Sequence, residues 1–122
     1  MGKVLIVDDN IDILTVVQLI LSFHGFAVKG ISKWEDIFDE VDTFKPDVVL
    51  LDIALSGNDG RVLCQQIKST KSGKNKPIII LFSAHHNLKD NYGLYMADDF
   101  IAKPFDSNVL VNKLRYHSSS IN

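Results

Sequence analysis

The sequence predicts an α/β domain in which a parallel β-sheet is covered by helices on both faces. Short apolar runs recur along the chain, and their side chains are apolar on both faces, as in strands of a buried parallel sheet. Segments with apolar residues at helical spacing lie between these runs. Strand and helix patterns alternate five times over 122 residues. This length is typical of one domain with one sheet.

The first strand and helix cover residues 3–23. The run Lys3–Val7 is apolar and β-branched, and it stops at two carboxylates followed by Asn10. Ile11–Phe23 has helical spacing, and either Asp9 or Asn10 is predicted to cap this helix. Gly25 is predicted to end it, because glycine readily adopts the left-handed conformation found just beyond many helices.

The second strand is predicted over Phe26–Ile31. Ser32, followed three residues later by Glu35, has the pattern of a capping box at the start of a helix. That helix is predicted from about Lys33 to Phe44 and ends before Pro46. Its predicted buried residues are Trp34, Ile37, Phe38 and Val41.

The third strand opens the segment DVVLLDIALSGNDG, which covers residues 47–60. Its apolar run, Val48–Leu51, is followed by Asp52 and then by several turn-forming residues. A carboxylate inside such a strand would be costly to bury. At the carboxyl end of the strand, however, it can reach a ligand while the strand holds it rigidly. A third helix is predicted from about Gly60 to Ser69, with Val62, Leu63 and Ile67 buried.

The last two strand–helix pairs complete the predicted sheet. Ile78–Phe82 is followed by Ser83, and a fourth helix is predicted from His86 to Met96. Phe100–Ala102 is a short fifth strand that ends at Lys103 and Pro104. The fifth helix is predicted to start at a cap, Asp106 or Ser107, to bury Val109, Leu110 and Leu114, and to leave a frayed tail from His117 to Asn122.

Composition narrows the function classes. The net charge of −2 gives no basis for attraction of the whole surface to nucleic acid or membranes. A single cysteine, Cys64, allows no intramolecular disulfide, which fits a reducing compartment, and it is expected to be a buried thiol. No apolar run approaches the roughly 20 residues that span a bilayer, and no signal peptide is visible. The expected location is the cytoplasm.

Polar residues follow four of the five predicted strands. They are Asp8 and Asp9, Asp52, Ser83 and Lys103. Taken singly, each aspartate is more often a helix cap or a solvated side chain, Ser83 is at least as well explained as a helix cap, and Lys103 would most often be solvated. In a doubly wound sheet, however, the carboxyl ends of the strands share one edge, where ligands bind. Three carboxylates there would repel one another unless a cation lies among them, and an all-oxygen set favours Mg²⁺ or Mn²⁺.

A metal, a lysine and a hydroxyl in one crevice suit a phosphoryl group, and aspartate can be its acceptor. Asp52 is the predicted nucleophile, because it stands alone at the end of the most buried strand. Asp8 and Asp9 are paired, as expected of residues that hold a metal.

These motifs together resemble the receiver domain of bacterial two-component response regulators. The resemblance runs through VLIVDDN, DVVLLDIALSGNDG, LFSA and ADDFIAKPF, and so covers nearly the whole chain. It implies a flavodoxin-like (βα)5 fold with strand order 2-1-3-4-5 and a single domain over residues 1–122. It also implies Mg²⁺-dependent phosphoryl transfer to Asp52 from a sensor histidine kinase or a phosphotransfer protein.

The resemblance assigns further roles by position. Asp8, Asp9 and Asp52, with the backbone carbonyl of Ala54, would bind the metal. The same comparison makes Lys103 a ligand of the phosphoryl group, and the Lys103–Pro104 peptide bond is expected to be cis.

Two residues would convert phosphorylation into a surface change. Ser83 would move toward the phosphoryl group, and Phe100 would move inward into the space that Ser83 leaves. The face of helix 4, strand 5 and helix 5 would then change its affinity for a downstream protein or output domain, with a phosphorylation-dependent homodimer left open. No turnover of a separate substrate is expected, and no direct contact with nucleic acid or membrane.

The chain departs from common family sequence at several positions. Ser56 stands where proline is frequent, which would make that loop more mobile. Phe100 lacks the phenol of many members, and Met96 replaces a small residue. Ala54 and His85 occupy places whose side chains tune the lifetime of the phosphoryl group.

Three other functions fit the sequence less well. A degenerate receiver would bind a partner without being phosphorylated, but all the site residues are present. A phosphatase with an aspartate nucleophile would need a second aspartate where Ala54 stands. A flavin or dinucleotide binder would not have an acidic turn after the first strand.

Overall fold

The computed structural model describes residues 2–70, 76–84 and 91–119. Within these ranges the strands are numbered β1–β7 in chain order. Five of them pair in parallel to form one sheet. These are β1 (Lys3–Val7), β2 (Ala27–Ile31), β3 (Val48–Asp52), β6 (Ile78–Ser83) and β7 (Asp99–Ala102). The other two, β4 (Ala54–Leu55) and β5 (Asn58–Asp59), form an antiparallel hairpin directly after β3.

The sheet has the order β2-β1-β3-β6-β7. Because β6 and β7 are the predicted fourth and fifth strands, this is the order 2-1-3-4-5, and the flavodoxin-like α/β fold is confirmed. The register aligns Val7 with Leu51, Asp52 with Phe82, and Ser83 with Ala102. The residues that follow these strands therefore meet at one edge of the sheet.

The central strands β1, β3 and β6 are buried on both faces, as the apolar runs predicted. Alternate residues of β1, β3 and β6 belong to two separate core clusters. One cluster includes residues of α2 (Ile37–Thr43) and α3 (Gly60–Thr70), and the other includes residues of α1 (Ile11–Phe23) and α4 (Ser107–Ser119). All five residues of β3 are buried. This strand is therefore a rigid support for the aspartate at its end.

The ends of α1 follow the predicted chemistry. Asn10 is the N-cap, and its side-chain oxygen accepts hydrogen bonds from the backbone N–H groups of Asp12 and Ile13. Gly25 has a φ of 92°, and its N–H and that of Phe26 donate to carbonyls of the last turn, which is the Schellman arrangement. Because Asn10 is the cap, Asp9 is not needed for this role.

The predicted cap of the second helix is wrong. A 3₁₀ turn, Trp34–Asp36, precedes α2, and its N-cap is Lys33, which makes no side-chain capping bond. The expected capping box of Ser32 and Glu35 therefore does not form. Ile37 and Val41 are buried as predicted, whereas Trp34 and Phe38 are only partly buried against the core.

Two predicted core valines are exposed, Val62 in α3 and Val109 in α4. The helices are rotated so that neighbouring positions face the sheet instead. The buried apolar side chains are Leu63, Cys64 and Ile67 in α3, and Leu110, Val111 and Leu114 in α4. The buried thiol of Cys64 is thus confirmed, and burial raises its pKa to about 12.

The tail prediction is also wrong for residues 117–119. Helix α4 continues to Ser119, and His117 is buried, with its Nε2 2.8 Å from an oxygen of Asp99. Lys113 Nζ lies 2.7 Å from the other oxygen of that carboxylate and thereby ties α4 to the start of β7. Residues 120–122 lie outside the described residues.

The first five residues of the predicted helix His86–Met96 lie outside the described residues, which resume at 91. The part that is described contains a 3₁₀ helix, Tyr92–Tyr95, followed by Met96 in a left-handed conformation with φ 66°. In the described ranges, no helix is both long and apolar enough to cross a membrane.

Candidate functional site

The predicted carboxylates converge at the carboxyl edge of the sheet. Asp8 and Asp9 follow β1, and Asp52 is the last residue of β3. One carboxylate oxygen from each of the three lies within 4.8 Å of the other two. The parallel strands therefore bring together the three residues that the sequence singled out as metal ligands.

Lys103 is the counter-ion of the two buried carboxylates. Asp8 is 0% exposed and Asp52 is 4% exposed. The Lys103 Nζ atom lies 3.1 Å from Asp8 Oδ2 and 3.4 Å from Asp52 Oδ1, and 4.5 Å from the ring centroid of Phe82. A single ammonium thus serves two carboxylates, and the set of Asp8, Asp9, Asp52 and Lys103 has a formal net charge of −2.

Asp52 has a perturbed acidity. Its pKa is raised from 3.8 to about 6, mainly by burial and also by the nearby charge of Asp8. Lys103 and the backbone N–H of Ala54, which donates to Asp52 Oδ1 over 3.3 Å, act in the opposite direction. A divalent cation among these oxygens would favour the ionised form. Such a cation would also offset the net charge of −2 that the three aspartates and Lys103 carry together.

Gly60 allows α3 to start directly behind Asp52. A Cβ atom built at this position would lie 2.1 Å from the backbone oxygen of Asp52, which is closer than real Cβ contacts allow. The N–H of Gly60 donates to the carbonyl of Ile53 over 2.9 Å. The sequence predicted this glycine as a turn former at the start of the third helix, which is confirmed, but did not indicate its close contact with Asp52.

Ser56 makes a second contact that the sequence did not indicate. Its backbone N and its Oγ both donate to Asp9 Oδ2, over 3.0 Å and 2.8 Å. These bonds join the loop after β1 to the hairpin after β3, across 47 residues of sequence. The greater mobility expected of the Ser56 loop stays a prediction.

The remaining predicted residues lie on β6 and β7 or just after them. Ser83 is buried at the end of β6, and its carbonyl accepts a 2.8 Å hydrogen bond from the backbone N of Lys103. Phe100 is buried in the core cluster on the α2 and α3 side. The Lys103–Pro104 peptide bond is cis, as the resemblance implied. His85 lies outside the described residues.

The fold and the site together define a class of protein. It is a flavodoxin-like domain whose sheet carries three aspartates and a lysine at the carboxyl edge. The chain belongs to the response regulator receiver domain family, whose sequence profile matches residues 4–115. It is therefore a receiver domain of the two-component type.

Individual relatives agree with this assignment. The chain is 34% identical over 116 residues to the sensory transduction protein BceR of Halalkalibacterium halodurans, and the match covers 94% of the chain and 49% of BceR. The chain thus spans about half the length of this curated relative.

Solved structures show the same similarity. The BeF3-activated N-terminal receiver domain of RstA from Klebsiella pneumoniae is 28% identical, with a TM-score of 0.84 and coverage of 95% and 97% of the two chains. NtrX from Brucella abortus is 27% identical, with a TM-score of 0.86, and the match covers 98% of this chain and 27% of NtrX.

Proposed function

We propose that this receiver domain accepts a phosphoryl group on Asp52 in a reaction that requires Mg²⁺ or Mn²⁺. The observation that carries the proposal is the group of three mutually close carboxylates with Lys103 as the shared counter-ion. With a pKa of about 6, Asp52 is ionised at neutral pH and can act as a nucleophile. Its position at the end of a fully buried strand fixes the direction of its carboxylate.

The donor set fits a divalent cation. Asp8, Asp9 and Asp52 supply oxygen ligands only, and Mg²⁺ prefers oxygen ligands. The backbone carbonyl of Ala54 is the proposed fourth protein ligand. A bound cation would neutralise charge on the phosphoryl oxygens.

The protein residues would act as follows. An oxygen of Asp52 forms a bond to the phosphorus of a phosphohistidine while the P–N bond breaks, and the electron pair leaves with the imidazole. Lys103, whose Nζ lies 3.4 Å from Asp52 Oδ1, would bind a phosphoryl oxygen. Ser83, buried at the end of the neighbouring strand, would donate its hydroxyl to another.

The proposed output is a change at the face formed by residues 92–95, β7 and α4. These correspond to the predicted helix 4, strand 5 and helix 5. Ser83 would move toward the phosphoryl group and Phe100 would fill the space that it leaves. The driving energy can only be the difference in affinity of the phosphoryl group for the two arrangements. Exposed apolar side chains in these elements support an interface here, namely Leu94, Val109 and Tyr116.

The proposed partners follow from this scheme. A sensor histidine kinase or phosphotransfer protein would supply the phosphoryl group in the cytoplasm. A downstream protein, an output domain or a second copy of the chain would recognise the switched face. No separate substrate is turned over in this scheme.

Beryllofluoride, a phosphoryl mimic, tests both the site and the switch. With Mg²⁺ present, we expect amide NMR signals of the wild type to shift near Asp52 and also along β7 and α4. Asp52→Asn should show neither set of shifts. An equal response from Asp52→Asn would refute the acceptor assignment. A wild-type response confined to the loop after β3 would refute the switch.

Two other functions have less support. A degenerate receiver would lack part of the acidic group, whereas Asp8, Asp9, Asp52 and Lys103 are all assembled here. A phosphatase of the aspartate-nucleophile type would need a carboxylate at position 54. That position is an alanine at the start of β4.

A further inference from the structure

The three carboxylates of the site are oriented by different partners. Asp8 accepts from Lys103 and from the backbone N of Asn10, the latter over 2.9 Å. Asp52 accepts from the backbone N of Ala54 and contacts Lys103. For Asp9, the hydrogen bonds among the described residues come from Ser56, and both go to Oδ2. Ser56 is thus the partner that fixes the most exposed of the three.

The turn at Ser56 does not itself require serine. Ser56 and Gly57 link β4 to β5, and Leu55 pairs with Asn58 across the turn. Gly57 has a φ of 86° whereas Ser56 is not among the residues with positive φ. A positive φ confined to the third residue is the type II pattern, which readily accepts proline at the second position. Proline at 56 would therefore keep the turn but provide neither donor.

We propose that Ser56 is a positioning residue of the divalent-cation site and acts by holding Asp9 in the ligating orientation. Both donors of Ser56 engage one carboxylate oxygen, so the other oxygen stays available to a cation shared with Asp8 and Asp52. Because serine is neutral, its hydrogen bonds to Asp9 do not reduce the negative charge that attracts the cation. This inference rests on the metal part of the proposed function.

The expected benefit is pre-organisation. A carboxylate that is already fixed loses less rotational freedom when it binds an ion. The loss of an outer-shell partner of a metal ligand typically lowers metal affinity by about 10–100-fold. Ser56→Ala removes the Oγ donor alone, and Ser56→Pro removes both donors. We therefore expect affinity to fall by about tenfold in the first and further in the second.

The test is a calorimetric titration of the full chain with Mg²⁺, repeated with Mn²⁺. Ser56→Thr keeps both donors and should bind close to the wild type, whereas Ser56→Ala and Ser56→Pro should bind progressively more weakly. Ser69→Ala is the matched control, because the Ser69 hydroxyl contacts Met96 in another part of the molecule. Urea unfolding without metal checks that each variant is folded.

A double-mutant cycle separates positioning from a general structural effect. If Ser56 acts through Asp9, Ser56→Ala should cause no further loss of affinity in an Asp9→Ala background. An equal loss in that background would overturn the inference. Unchanged or tighter binding by both Ser56→Ala and Ser56→Pro would also overturn it, because the serine would then be irrelevant or would compete with the ion. A wild type that binds neither ion would refute the metal site itself, and the inference with it.

Discussion

Asp52→Asn is expected to make the metal-free protein more stable at neutral pH. Asp52 is 4% exposed and lies beside the charged Asp8, so its ionised form is disfavoured in the folded state. Asparagine keeps the shape and can still accept the hydrogen bond from Ala54 N. It carries no charge that has to be buried.

The size of the effect follows from the pKa of Asp52, which is 3.8 for the free side chain and about 6 in the fold. One pKa unit corresponds to about 1.4 kcal/mol, so the difference is worth about 3 kcal/mol. Below pH 3.8 the side chain is protonated in both the folded and the unfolded protein, and its full contribution to the free energy of unfolding is present. As the pH rises through about 6 this contribution is lost, because the folded protein must then ionise the buried group.

Urea unfolding in EDTA, followed by circular dichroism at several pH values, measures this effect. The free energy of unfolding of Asp52→Asn relative to the wild type should rise between about pH 4 and pH 7 by about 3 kcal/mol. The exposed Asp39→Asn is the matched control and should show little change. Added Mg²⁺ should stabilise the wild type more than Asp52→Asn. A stability difference that does not change with pH would refute the electrostatic account of the site.

Three other variants test neighbouring features. Gly60→Ala should destabilise the fold by about 1–3 kcal/mol in urea unfolding, because its Cβ would overlap the backbone oxygen of Asp52. Gly93→Ala should not destabilise the fold, because a Cβ atom at Gly93 has no neighbour within 4 Å. Equal losses of stability in both variants would refute the steric argument. Lys103→Met should lower the unfolding free energy by about 3 kcal/mol at pH 7, since it leaves the buried carboxylates without a counter-ion. The loss should shrink at pH 5, and a loss independent of pH would contradict this. Burial opposes ionisation of Asp99, but hydrogen bonds from a lysine and a histidine of α4 lower its pKa overall, so Asp99→Asn should reduce stability above pH 3.8. That difference should vanish as the pH falls through the lowered pKa, and a difference that persists in acid would count against the ion pair.

The sequence predicted the features that depend on simple burial. The strands were recognisable because a sheet with helices on both faces needs apolar residues at every position, as Val48–Leu51 shows. The convergence of Asp8, Asp52 and Lys103 then follows from topology, since parallel strands end at the same edge.

What the sequence did not predict depends on contacts between distant residues. His117 looked like part of a polar tail, yet it is buried because it pairs with Asp99, 18 positions away. The bonds from Ser56 to Asp9 likewise connect two loops that only the folded sheet brings together. Val62 was assigned to the core because an apolar residue near the edge of a helical stripe fits either side, and only packing decides which.

Phosphorylation by a small phosphodonor tests the central claim most directly. Intact protein is incubated with acetyl phosphate and Mg²⁺, and its mass is measured before the acyl phosphate hydrolyses. The wild type should gain one phosphoryl group, and it should gain none when EDTA replaces Mg²⁺. Asp52→Asn should gain none under either condition. Equal labelling of the wild type and Asp52→Asn, or no labelling of the wild type with Mg²⁺, would contradict the assignment of Asp52 as the acceptor.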